Sequence, residues 1–344
     1  MITIILPIRN EREKISGTLD SILSQSYKGK MEIIIADGMS TDGTREIIDI
    51  YKNENPRIHI IDNPEKIVST GFNRALTISK GGIIIRIDGH AEVGKDFILN
   101  NIKVLKNIKA DCVGGFTYHT SKTLIGKHIS VAQSSKFGSG GASFRSGLKY
   151  GSFVDTLAFG AYKRGVFLLN GGFDEELIKN QDEEFNYRLI QNGGKIWMDP
   201  SITSIYYVRD SMLKLSKQYY YYGFFKIRVM QKTNALLAIR HLIPSLFIFA
   251  ITLSSYVSYI NNYIWPVLTV LGAYFVFNFV FTIYESLRER FKPLVLLPLV
   301  FFLMHISYGI GFIMGFFNFL NKWGDKRLIA NHFDKKRFIE NTNA

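Results

Sequence analysis

Four short apolar runs, three of them followed by a polar cluster, constrain the fold more than any other feature of the chain. They are Ile2–Leu6 before Pro7-Ile8-Arg9-Asn10-Glu11, Glu32–Ala36 before Asp37-Gly38, Ile58–Ile61, and Gly82–Ile87 before Asp88-Gly89-His90. Short runs of this kind, rich in isoleucine and closed by Pro, Gly or Asp, read as strands buried on both faces. Between them lie helical segments. One runs from Glu11 to Gln25 with Ile15, Leu19, Ile22 and Leu23 on one face, one continues to about Tyr51 from a cap at Thr41 or Asp42, and one covers Lys66–Ser79. The alternation predicts an α/β fold, a mostly parallel sheet with helices on both faces. Such sheets collect ligands at the carboxyl ends of their strands, where the clusters around Arg9, Asp37 and Asp88 fall. A packed core has no use for carboxylates there, whereas a site for a nucleotide, a diphosphate and a divalent metal does. A fourth acidic cluster, Gln181-Asp182-Glu183-Glu184, opens a later helical pattern.

The last third of the chain has a different solvent in view. Leu242–Ile260 and Tyr263–Ile283 are each about 20 largely apolar residues, long enough to cross a bilayer, and Pro293–Leu320 is longer still. Trp265, Trp323 and several tyrosines stand where interfacial residues belong. Arg228, Lys232 and Arg240 before the first run, and Arg288, Arg290 and Lys292 after the second, put both of those ends in the cytosol. A third full crossing would leave Lys326, Arg327, Lys335, Lys336 and Arg337 outside, against the same rule. The alternative is a re-entrant pair of short helices broken at Pro298 or Gly309. Met1 leads directly into an apolar strand, so the N-terminal domain is expected in the cytosol and the protein in the cytoplasmic membrane, multi-pass.

A net charge of +13 suits anionic partners such as a nucleotide sugar, a lipid diphosphate or anionic headgroups. Nucleic acid is not expected as a partner, because no nucleic-acid motif accompanies the charge. Cys112 is the only cysteine, so no internal disulfide forms, and its setting is that of a buried strand thiol. Residues 120–150, rich in Ser, Gly and Lys without a clear period, read as a mobile loop over the site or a disordered insertion.

Ile4-Ile5-Leu6-Pro7-Ile8-Arg9-Asn10-Glu11 followed by Ile33-Ile34-Ile35-Ala36-Asp37-Gly38-Met39-Ser40-Thr41-Asp42-Gly43-Thr44 resembles the opening of the family 2 glycosyltransferases of GT-A fold. The resemblance covers roughly residues 1–230 and is closest to the membrane-attached branch that builds exopolysaccharides, the succinoglycan type. It implies that Pro7, Arg9, Asn10, Glu11 and Asp37 line the pocket for the uracil and ribose of a UDP-sugar. A carboxylate such as Asp37 can accept from the base imide, although an Asp before Gly also makes turns. Arg86 and Arg74 could approach the diphosphate, or each could be salt-bridged. Asp88-Gly89-His90 is similar to the family's Asp-x-Asp, which holds Mn²⁺ or Mg²⁺ on the donor diphosphate. The second acid is His90 here, and imidazole suits Mn²⁺ better than Mg²⁺.

Gly171-Gly172-Phe173-Asp174-Glu175 and Gln181-Asp182-Glu183-Glu184 match a further pair of family motifs and put the catalytic base at Asp182, with Glu183 and Glu184 as fallbacks. The Gln-x-x-Arg-Trp of polymerising relatives is absent, and Gln218–Arg228 reads instead as an interfacial amphipathic helix. The expected organisation is a GT-A domain over 1–211, an interfacial segment over 212–241, transmembrane helices over 242–320 and a basic tail over 321–344. The expected activity is inverting sugar transfer from a nucleotide sugar to a polyprenyl-diphosphate-linked acceptor. A polyprenyl-phosphate sugar synthase is the rival enzyme, and a membrane-anchored nucleotide-binding scaffold is the rival without catalysis.

Overall fold

In the computed structural model, which describes residues 1–141, 149–234, 239–289 and 295–341, the first strand, β1 (Ile2–Ile8), runs beside β2 (Met31–Asp37) in parallel from Ile2↔Met31 to Ile8↔Asp37. Every residue of both strands is buried, as near-continuous β-branched runs demand. The remaining elements follow in chain order. They are α1 (Ile15–Leu23), α2 (Thr44–Glu54), β3 (Ile58–Asp62), α3 (Val68–Ile78), β4 (Ile83–Arg86), β5 (Ala91–Val93), α4 (Phe97–Asn107), β6 (Cys112–Thr120), α5 (Leu124–Ser134), α6 (Lys136–Ser139), β7 (Ser152–Phe153), β8 (Ala161–Lys163), α7 (Arg164–Asn170), α8 (Gln181–Gln191) and β9 (Ile196–Tyr207). The sheet order is β3-β2-β1-β4-β8-β6-β9-β5, with β7 on β9. Its β3-β2-β1-β4 half is parallel, and the β4–β8, β6–β8, β5–β9 and β7–β9 pairs are antiparallel.

The chain divides into two units. Unit 1 comprises Met1–Tyr118, Gly147–Tyr206 and Arg327–Ala344, and unit 2 comprises His119–Ser146 and Tyr207–Lys326. In unit 1 the core gathers Ile4, Leu6, Ile33 and Ile35 of the sheet with Ile15, Leu19 and Ile22 of α1. The stripe expected on the first helix is therefore the buried one. The helix itself starts later than Glu11. Asn10 has a φ of 54°, the Glu11 amide donates to Thr44 Oγ1 at 2.8 Å, and the Glu11 carbonyl takes the amides of Lys14 and Ile15. Those residues form a turn that aims the loop at α2 before the helix begins. Strand β1 also runs past Pro7. Its even residues bond toward β2 (Gly38 to the Ile8 carbonyl) and its odd ones toward β4 (Ile87 to the Ile5 carbonyl). Pairing with β4 stops at Ile5↔Arg86, so the missing amide of Pro7 costs no ladder bond.

The end of the chain also belongs to unit 1. Thr77 Oγ1 takes the Asp334 amide at 2.9 Å and donates to the His332 carbonyl at 3.2 Å, and Asn341 donates to the Thr77 carbonyl at 3.0 Å. Phe338 is fully buried, with the Arg164 guanidinium 3.5 Å over its ring.

Unit 2 is helical. It holds α5, α6 and then α9 (Met212–Thr233), α10 (Ile239–Ile260), α11 (Trp265–Arg288) and α12 (Leu297–Asn318); α13 (Lys335–Glu340) follows in unit 1. The stretch expected to be a mobile loop is α5 and α6 as far as Ser139, and residues 142–148 lie outside the described residues. Thr123 and Ser135 cap these helices, and His128, Ile129, Val131 and Ala132 are buried. Tertiary packing thus supplies what the Ser- and Gly-rich composition hid. Among the described residues three helices are long and apolar enough to cross a membrane, within Ile239–Ile260, Trp265–Arg288 and Leu297–Asn318. The third is one continuous helix, not two short ones broken at Pro298 or Gly309. Pro298 sits in its first turn, where a missing amide is tolerated.

Candidate active site

Alternation along a strand puts Arg86 and Asp88 on the same side at the carboxyl end of β4. Arg86 is buried, and its guanidinium bridges two carboxylates, with Nη2 donating to Asp88 Oδ1 at 2.5 Å and Nη1 to Asp182 Oδ2 at 3.2 Å. Burial alone would pull the Arg86 pKa down, but Asp88 and Asp182 outweigh it and hold it above its ordinary value. The bridge joins residues 96 apart, from the sheet and from the first turn of α8. Asp182 Oδ1 accepts the Glu183 amide at 2.9 Å, and its side chain is 37% exposed. Glu184, by contrast, is buried and paired to Arg188 through 2.7 and 2.8 Å bonds. Arg188 in turn donates to the carbonyls of Asn170 and Gly172, so Glu184 is committed to holding that loop.

His90 Nδ1 lies 2.8 Å from Glu11 Oε1. With the carboxylate accepting, Nδ1 is the donor, and Nε2 is the ring nitrogen left for another partner. Nε2 is buried without a partner, as are Arg86 Nε and Gln181 Oε1. Gly89 makes the arrangement possible, since a Cβ there would stand 2.8 Å from Ile8 Cγ2 and 3.0 Å from Glu11 Cγ. A histidine with one nitrogen held by a carboxylate is chemically able to hold a divalent ion through the other. Among the described residues no group of three or more His, Cys, Asp and Glu side chains converges. Asp88 and His90 alone would leave most of the coordination of an ion to other ligands.

The other residues singled out in the sequence fall nearby with mixed roles. Pro7 is buried within β1, while Arg9 and Asn10 are exposed. The Asn10 amide donates to Ser40 Oγ at 2.9 Å and its Oδ1 accepts the Thr41 amide at 2.9 Å, tying the first polar loop to the second. Asp37 is 2% exposed, with Oδ1 2.5 Å from Ser40 Oγ and Oδ2 3.4 Å from Arg45. Here it forms the turn that Asp before Gly favours. Asp42 Oδ1 accepts both the amide and the hydroxyl of Thr44, and these bonds, with one from Arg12, outweigh burial and hold its carboxyl below the ordinary range. Arg74 is salt-bridged to Glu65 at 2.8 Å and not brought to Arg86. Sequence reasoning missed the Glu11–His90 pair and the role of Glu175, whose carboxylate binds Asn73, Asn331 and His332. No local pattern signals contacts this distant.

The architecture is that of the GT-A glycosyltransferases. A family model described as "Glycosyl transferase family 2" matches residues 3–167. The chain is 32% identical over 327 residues to the dolichyl N-acetyl-α-D-glucosaminyl phosphate 3-β-D-2,3-diacetamido-2,3-dideoxy-β-D-glucuronosyltransferase of Methanococcus voltae, covering 91% of this chain and 96% of that one. It is 28% identical over 311 residues to the succinoglycan biosynthesis protein ExoA of Rhizobium meliloti, covering 90% and 93%. The structure of mannosyltransferase PcManGT from Pyrobaculum calidifontis, in complex with GDP-Man and Mn²⁺, superposes with a TM-score of 0.57 at 16% identity over 89% of this chain and 86% of that one. This chain therefore belongs to glycosyl transferase family 2 and is a glycosyltransferase.

Proposed function

We propose that this enzyme transfers a sugar, with inversion, from a UDP-sugar to a lipid-linked sugar acceptor at a membrane surface. The observation that carries the reading is the pair of carboxylates, Asp88 and Asp182, on the single guanidinium of Arg86. Nucleotide binding alone has no use for the second acid. Asp182 is the base: as the acceptor oxygen attacks the anomeric carbon, its proton passes to the Asp182 carboxylate, and the bond to the diphosphate breaks with the electron pair leaving on UDP. Arg86 orients Asp182 for that transfer. Asp88 and His90 are the residues that would hold Mn²⁺ or Mg²⁺, with Glu11 fixing the His90 ring. A bound ion would supply charge neutralisation for the leaving diphosphate. Pro7, Arg9, Asn10 and Asp37 form the nucleoside side, Asp37 through the Ser40 turn it organises.

Membrane attachment through the apolar helices, with unit 1 in the cytosol, accounts for a soluble donor meeting an insoluble acceptor. The name of the Methanococcus relative, which specifies a lipid-phosphate-linked sugar as acceptor, supports that choice. The test is the protein in detergent, screened against UDP- and GDP-sugars with Mg²⁺ or Mn²⁺ for donor hydrolysis, with UDP binding followed by calorimetry. Hydrolysis of a UDP-sugar with Mn²⁺ preferred is expected, and Asp88→Ala should lose metal-dependent UDP binding. Turnover of GDP-sugars alone, or unaltered metal-dependent binding in Asp88→Ala, would overturn the assignment.

A further inference from the structure

Chain order sets a parity on the apolar segment. Residues before it (to Tyr206) and after it (from Arg327) belong to the same water-soluble unit, and a bilayer does not pass through a folded α/β body. The chain between them must cross the membrane an even number of times, yet its described residues include three helices fit to span. We infer that α10 and α11 cross as a hairpin and that α12 does not cross, lying beside α9 in the half of the bilayer where α10 begins, with both its ends on that side. This deepens the membrane attachment proposed above and rests on it.

Unit 2 itself says which helix fails to cross. Helix α9 carries Lys214, Lys217, Lys226, Arg228 and Lys232 and is no span. Helix α12 runs parallel to it in backbone contact. Gly311 seats on the Tyr220 carbonyl and Gly315 on the Phe224 carbonyl, and Phe319 meets the Phe224 ring at 5.1 Å. Farther along, the fully buried Arg228 donates to the carbonyls of Lys322 at 3.3 Å and Asp325 at 2.9 Å. Small residues at a helix interface and close backbone approach are how helices pair in lipid, so α12 shares the depth of a cationic partner.

Its contacts with the hairpin agree. Asn278 donates to the Pro298 carbonyl, Phe302 packs on Tyr274, and Gly309 seats against Pro244. These meet α10 near its start and α11 near its middle, as a helix lying across the hairpin would, not one running its full length. Helices α10 and α11 bury little of their surface in the protein and are joined by a short turn at Asn261-Asn262. At 1.5 Å per residue each is about 33–36 Å long, sufficient for the hydrocarbon core. Two crossings also put Lys326, Arg327, Lys335, Lys336 and Arg337 on the same side as Arg288, which removes the conflict with the positive-inside rule.

The native thiol background is silent, because Cys112 is fully buried. Single cysteines at Lys106, Asn262 and Lys326, all exposed, are introduced into the full chain in oriented membrane vesicles and labelled with a membrane-impermeant maleimide. Lys326→Cys is expected to label from the same side as Lys106→Cys, and Asn262→Cys only from the other. Lys326→Cys labelling with Asn262→Cys overturns the inference while leaving membrane attachment intact. All three labelling from one side means that the hairpin does not cross, which overturns the attachment reading as well. Nitroxides on Met314→Cys and Leu253→Cys then read depth through oxygen and nickel-chelate accessibility. Met314 is expected to read shallower than Leu253, and equal or greater depth at Met314 overturns the placement of α12.

Discussion

Glu175→Ala is expected to free the C-terminal segment from unit 1. The Glu175 side chain is 6% exposed. Its Oε1 accepts from Asn73 Nδ2 at 2.8 Å and from the His332 amide at 3.0 Å, while Oε2 accepts from the Asn331 amide at 3.1 Å and His332 Nδ1 at 2.9 Å. Four charge-assisted bonds do not add in full, because they share one desolvated carboxylate. Removing the acid from such a buried cluster costs about 3–5 kcal/mol, much of it from donors left without partners. Helix α13 stays anchored by Thr77 and by Phe338 under Arg164, so the loss should localise to residues 328–334. Hydrogen exchange on the full chain in detergent is the assay. At about 1.4 kcal/mol per decade, exchange there should quicken by about two to three and a half orders of magnitude, with the β1–β2 amides unchanged. Glu175→Gln should fall between, since an amide oxygen still accepts but its NH₂ opposes a donor. Acceleration of less than about tenfold in Glu175→Ala would refute the claim that this carboxylate holds the segment.

Packing and burial set the remaining expectations. A side chain at Gly311 would overlap the Tyr220 backbone, so Gly311→Val should destabilise unit 2 by about 1–3 kcal/mol, read as a lowered thermal aggregation midpoint. Gly272→Val, where nothing lies within 4 Å, is the control and should change little. Burial pushes the Cys112 thiol well above its ordinary 9.0, with a bond from Tyr162 pulling only partly back. Native protein should therefore resist maleimide at neutral pH and react once unfolded. Because the folded thiol holds its proton longer than the unfolded one, its stabilising effect is full below pH 9.0 and declines as pH rises past that value.

The parallel half of the sheet was legible because its signal is local. Uninterrupted isoleucine runs ending in Pro, Asp or Gly leave a buried parallel strand as the consistent reading, and the stripe on α1 has a helical period. The acids at 88 and 182 were legible one at a time, from strand-end position and family resemblance. Their joining through Arg86 was not, since that bond spans 96 residues and no periodicity encodes it. The same holds for the strap of His332 on Glu175, 157 residues apart. Helix α5 escaped because its Ser, Gly and Lys content gives little intrinsic preference, and burial of His128, Ile129, Val131 and Ala132 decides the conformation.

Transfer by Asp182→Asn tests the central claim most directly. The amide keeps the size of the acid and can still accept from Arg86, but it cannot take the acceptor's proton. Transfer from the UDP-sugar should fall by about 10²–10⁴-fold, while calorimetric UDP binding in the presence of Mn²⁺ stays at the wild-type value. Glu183→Gln should retain more activity than Asp182→Asn. Near wild-type transfer in Asp182→Asn, with Glu183→Gln inactive, would contradict the account and move the base one residue along α8.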